Sequence, residues 1–174
     1  MAEPVPSFYM DAAMEQARAA AREGEVPVGA VLALPDGRSY AAHNRSEAGS
    51  PLKHAEMEAL EEALAAEGRH GLAAATLYVT AEPCLMCLGA MVHARIGGLV
   101  YACEETRFGG VATLQALWKE GRYPYHFPIV SGLRGQEARE LMQEFFARRR
   151  TQEMRSAHPA EHVELRGDGE ETPR

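Results

Sequence analysis

Apolar and polar positions alternate along this chain with periods that change every ten to twenty residues. Between residues 7 and 23, Phe8, Ala12, Ala13, Ala17, Ala20 and Ala21 recur at helical spacing, with Ser7 as N-cap and Gly24 as stop. Residues 26–34 form a short apolar run rich in β-branched side chains, which predicts a buried strand. Pro35-Asp36-Gly37 then supplies a turn, and a second strand over 38–42 completes a hairpin. A polar stretch, 43–53, precedes a helix marked by Ala55, Met57, Leu60, Ala63 and Leu64 that stops near Gly68.

From there strands and helices take turns. Residues 75–80 predict a strand and 84–94 a short helix with Leu85, Leu88, Met91 and Val92 facing inward. Pro83 is suited to the start of that helix, where its missing N–H costs nothing. A strand over 99–102, a break at Gly109-Gly110, a helix over 112–119, a strand over 127–131 and a helix over 136–150 follow. This alternation predicts an α/β sheet with helices on both faces. The expected domain is 1–150. Residues 151–174 have few apolar side chains and no period, so a disordered polar tail is expected there.

Composition narrows the class. With 174 residues, 46% hydrophobic and 25% charged, the chain suits one globular domain. It has no apolar run long enough for a membrane span and no secretory pattern at residues 1–7, so a cytoplasmic location is expected. The net charge of −7 speaks mildly against a nucleic-acid partner. Part of it resides in 151–174, where six acidic residues face three arginines. Arg148-Arg149-Arg150 is the one basic run, read either as a solvated helix end or as a phosphate contact.

Three cysteines are too few for a disulfide framework. Cys103 reads as buried filler. Cys84 and Cys87 are spaced i, i+3, which puts both sulfurs on one helix face, at an N-terminus whose dipole favours thiolates. Two cysteines do not complete a zinc site, and His54, two residues before Glu56 at the start of a helix, is the histidine in the most suggestive context. His70, His158 and His162 read as solvated. Three protein ligands leave the fourth position of a tetrahedral zinc open for catalysis, where water falls to a pKa of about 7. Glu56 then stands beside the metal as proton shuttle without being a ligand. Two other readings exist: a redox pair, which leaves His54 and Glu56 without a purpose, and a structural zinc with Cys103 as fourth ligand.

His54-Ala55-Glu56 followed by Pro83-Cys84-x-x-Cys87 resembles the signature of the cytidine deaminase superfamily. Within it, residues 8–150 are most similar to bacterial tRNA adenosine deaminases, above all Glu25–Val31, His43-Asn44-Arg45, and Thr76–Ile96. The resemblance implies a three-layer α/β/α sandwich around a five-stranded mixed sheet, with one zinc per chain between two helix N-termini, held by His54, Cys84 and Cys87. It implies Glu56 as catalytic acid/base and a substrate pocket shaped by Asn44, Val28 and Ala55. The segments 49–53 and 104–110, the latter with Glu105 and Phe108, are implied to meet an anticodon loop, and a homodimer is implied. Both segments depart from the tRNA enzymes' usual residues, which keeps a free nucleobase, nucleoside or nucleotide open as substrate. A non-catalytic zinc scaffold is a third reading, against which the intact Glu56 speaks.

Overall fold

The computed structural model describes residues 6–68 and 70–157. In chain order the elements are α1 (Ser7–Arg22), β1 (Gly29–Ala33), β2 (Ser39–His43), α2 (Ala55–Glu67), β3 (Thr76–Ala81), α3 (Leu85–Ala94), β4 (Gly98–Cys103), α4 (Val111–Lys119), β5 (Ile129–Ser131) and α5 (Gly135–Ala157). The strands form one five-stranded sheet in the order β2-β1-β3-β4-β5. β1 runs antiparallel to both β2 and β3, whereas β3, β4 and β5 are mutually parallel. The parallel steps use α3 and α4 as crossovers, as parallel neighbours require.

Period-2 alternation distributes the strand residues between two cores. Ala30, Leu32, Leu77, Val79, Leu99 and Tyr101 pack beneath α2, α3 and α4. Val31, Tyr78, Val100 and Ala102 pack beneath α1 and α5. The expected three-layer sandwich is therefore what forms. Among the described residues no helix is long and apolar enough to cross a membrane.

Several boundaries differ from expectation for identifiable reasons. β1 starts at Gly29 because Val26-Pro27-Val28 closes a tight turn, with the Val28 amide donating to Val26 O at 2.7 Å. Ser7 is the first residue of α1 and Pro6 its N-cap, with no side-chain capping bond. Met10 and Met14 share the buried stripe of α1 with Ala13, Ala17 and Ala20, leaving Phe8 exposed. Pro83 lies one residue before the N-cap of α3, and Leu85 is exposed in its first turn. The two glycines expected to stop helices do so at positive φ, 81° at Gly24 and 74° at Gly68.

α5 continues to Ala157, so residues 151–157 are helical where a disordered tail was expected. The expectation for 158–174, with His158 and His162, lies outside the described residues. Arg148, Arg149 and Arg150 consequently stand inside α5, with about two more helical turns described after them.

α1 lies so close to β1 that a Cβ on Gly29 would come within 2.0 Å of Ala13 O and 2.5 Å of Ala17 N. Both atoms are backbone and cannot swing aside. Gly29→Ala should therefore destabilise the fold by about 1–3 kcal/mol, read as a lower denaturation midpoint at unchanged m-value.

Candidate active site

α2 and α3 pack side by side on the same face of the sheet, and each begins with an extended residue that carries a potential ligand. His54 is the N-cap of α2 (φ −75°, ψ 151°) and Cys84 the N-cap of α3 (φ −74°, ψ 168°). Neither side chain caps its own helix, so the imidazole and the thiol are free to meet each other. Cys87, one turn into α3, is fully buried.

The three donor atoms form a tight triangle. His54 Nδ1 lies 3.6 Å from Cys84 Sγ and 3.5 Å from Cys87 Sγ, and the two sulfurs are 3.7 Å apart. Tetrahedral zinc with Zn–S of about 2.3 Å and Zn–N of about 2.0–2.1 Å requires S···S near 3.8 Å and S···N near 3.6 Å. The triangle therefore fits zinc in size and in donor chemistry, one imidazole with two thiols. Among the described residues it is the one group of His, Cys, Asp and Glu able to hold a metal. Cys103 lies outside this group; its buried thiol donates to Thr80 O at 3.3 Å.

The electrostatics suit a cation. The Cys84 thiol is pulled down to about 4, first by its hydrogen bond with Cys87, then by His54. Cys87 is pushed up by the same hydrogen bond and by burial. The hydrogen bond to Cys84 raises His54. Glu56, in the first turn of α2, is buried at 4% exposure with its carboxyl beside the Cys87 thiol. Burial holds that carboxyl above the usual carboxylate range. It is thereby suited to hold a proton and give it up.

Two loops flank the triangle, and each is held by a carboxylate. On one side, buried Glu25 accepts hydrogen bonds from the Glu47 and Ala48 amides, both at 2.8 Å, and from Asn44 Nδ2 at 3.3 Å. Asn44 also donates to Ser46 Oγ at 2.8 Å, and its backbone amide to Val28 O at 3.0 Å. Asn44 is thus buried within a loop network, with Val28 beside it. Ala55 is fully buried in the core between His54 and Glu56. On the other side, Glu82 accepts from the Glu105 amide at 3.2 Å and the Val111 amide at 3.0 Å. Glu105 in turn accepts from the Arg107 amide at 2.9 Å and from the Phe108 amide, and Phe108 projects from this loop at 74% exposure.

Glu25 and Glu82 were not singled out from the sequence. The available signal was an acidic residue set directly against an apolar segment in Glu25-Val26-Pro27-Val28 and in Ala81-Glu82-Pro83. Of the arginine run, Arg149 pairs with Glu47 at 3.0 Å and Glu153 at 3.6 Å, while Arg148 Nε donates to Glu144 O at 3.4 Å. Cavities of about 320 and 270 Å³ open beside β2 and the 44–53 loop, and neither is lined by His54, Glu56, Cys84 or Cys87. The reaction centre is defined by its donor atoms, not by the size of a void.

A buried carboxyl beside a zinc-sized N,S,S triangle at paired helix N-termini has the make-up of a hydrolytic metal centre of the deaminase type. The chain belongs to the cytidine and deoxycytidylate deaminase family, whose zinc-binding region matches residues 5–103. It is 39% identical to the tRNA-specific adenosine deaminase of Bacillus subtilis over 140 residues, 80% of this chain and 87% of that one. A solved tRNA:A34 deaminase, from work on A-to-I editing at the wobble position, superposes with a TM-score of 0.71 at 36% identity, covering 78% of this chain and 99% of that one. A guanine deaminase from Nitrosomonas europaea gives a TM-score of 0.68 at 25% identity, covering 84% of this chain and 87% of that one.

Proposed function

We propose that this chain hydrolyses the exocyclic amine of an adenosine in the anticodon loop of a tRNA, at the wobble position, leaving inosine and ammonia. The observation that carries this reading is the zinc-sized triangle with the buried Glu56 carboxyl beside it. His54, Cys84 and Cys87 are assigned as the zinc ligands. Zinc bound there supplies Lewis acidity and a nucleophile at neutral pH. Glu56 takes the proton from the attacking water and passes it to the departing amine, which leaves poorly unless protonated. A carboxyl that burial has raised toward neutrality suits both halves of that transfer.

For the substrate, Asn44 and Val28 form one wall and Ala55 contributes through its backbone. Glu105 and Phe108 form the opposite rim. A splayed anticodon loop delivers a base to the donor triangle without opening a duplex. The tRNA substrate is supported by the names of the Bacillus relative and the A34 deaminase. The reading includes a cytoplasmic homodimer; exposed Leu85 beside the site provides apolar surface for a second chain. The N. europaea guanine deaminase, together with the net charge of −7, favours a free base as the second reading.

Incubation with an anticodon stem-loop, and separately with free bases and nucleosides, separates the two through inosine formation and ammonia release. Phe108→Ala sharpens the comparison. An exposed ring that stacks on a base flanking the target contributes roughly 1–3 kcal/mol, so kcat/KM for the stem-loop should fall about 5- to 150-fold. If stem-loop turnover is absent in both proteins while nucleoside turnover rises in the variant, the ring caps a small-molecule pocket and the tRNA reading fails.

A further inference from the structure

The loop between β4 and α4 returns to the metal helix through main-chain bonds at its end. The Gly110 amide donates to Pro83 O at 2.9 Å, and Gly109 forms an antiparallel bridge with Cys84. Glu82 completes the attachment, with one carboxylate oxygen on the Glu105 amide where the loop begins and the other on the Val111 amide where α4 begins. Its own amide donates to Cys103 O at 2.8 Å, which fixes the side chain's origin at the end of β4. The N-cap of α4 is Gly110, which has no side chain to satisfy the first-turn amides; Glu82 takes that part from a distance of 29 residues in sequence. Packing leaves no slack, since a Cβ on Gly109 would sit 2.5 Å from Glu82 Oε2 and 2.4 Å from Glu105 O.

We propose that Glu82 is a positioning residue, whose carboxylate makes the 104–110 loop one rigid piece with the start of α3 and so sets where Phe108 stands relative to Cys84. The inference rests on the reading that this loop meets the substrate. Glu82 touches neither the donor triangle nor the acid/base group, so its effect falls on substrate binding and not on chemistry.

The test uses zinc-loaded wild type, Glu82→Gln, Phe108→Ala and the double variant. Glu82→Gln keeps one acceptor oxygen and turns an NH₂ toward an amide that needs an acceptor. Amide hydrogen exchange should accelerate in 104–111 and stay unchanged in 44–53. KM for the stem-loop should rise about tenfold, with kcat and zinc content within about twofold of wild type. In the Phe108→Ala background the same substitution should change KM by less than about twofold, because contacting groups are non-additive. Lower thermal stability with KM and loop exchange unchanged would reduce Glu82 to a structural brace and overturn the proposal, as would a fall in kcat that tracks zinc loss. Should Glu82→Gln not fold, Glu82→Asp, too short to reach both amides, carries the same expectations. A wild-type protein inert on the stem-loop would sink the tRNA reading alone. The KM comparison then moves to the accepted nucleoside, where a rise with faster loop exchange supports Glu82 and an unchanged KM overturns it.

Discussion

Cys87→Ser protein should purify with far less than one zinc per chain and with almost no deaminase activity. Cys87 is fully buried one turn into α3, and its sulfur closes the triangle at 3.5 and 3.7 Å from its two neighbours. A serine oxygen sits on a shorter bond, stays protonated at neutral pH and cannot reach the same point. Loss of a hydrogen-bonding partner behind a ligand already costs about 10–100-fold in metal affinity, so loss of the ligand itself must cost more. Zinc held by His54, Cys84 and Cys87 would tie the start of α2 to the start of α3, so the variant should melt at lower temperature than the zinc-loaded parent. Elemental analysis after gel filtration measures the effect. Full zinc occupancy in the variant would remove Cys87 from the site.

Glu56→Gln should behave in the opposite way, keeping its zinc and losing its chemistry. The substitution preserves side-chain volume at a position with 4% exposure, so packing is undisturbed. What disappears is a group able to accept and release a proton, a contribution of about 10²–10⁴-fold in kcat. Glu56→Ala should show the same loss in turnover, with added destabilisation from the space left in the core. Single-turnover assays on zinc-matched samples isolate the chemical step. Turnover within a few-fold of wild type would show that another residue moves the proton.

The difference between these two variants follows from a division that the sequence already displayed. Ligands at Cys84 and Cys87 could be placed on one helix face from spacing alone, and His54 could be placed at a helix start. The layered fold was equally readable, because short apolar runs and helix-period segments take turns along the chain and are separated by glycine and proline. Other features depended on groups remote in sequence. The parts played by Glu25 and Glu82 depend on loops that donate amides to them from 22 and 23 residues away in sequence. The resemblance implied a substrate role for Asn44, and only the folded loop shows its amide nitrogen shared between Glu25 and Ser46. Residues 151–157 lack an apolar period and still continue α5, because a helix already nucleated upstream needs no core contact to extend by good helix formers. Leu85 fits the inward stripe by spacing, yet it is exposed in the first turn of α3.

The 104–110 loop is secured by what its backbone offers. Its attachments run through the amides of Glu105, Gly110 and Val111, through the Gly109 bridge, and through the lack of any Cβ at Gly109 and Gly110. The side chains of Thr106, Arg107 and Phe108 take no part in that anchorage. Substitution at Thr106, Arg107 or Phe108 therefore leaves the mount in register with Cys84, so the tip can vary in shape and charge without moving the donor triangle.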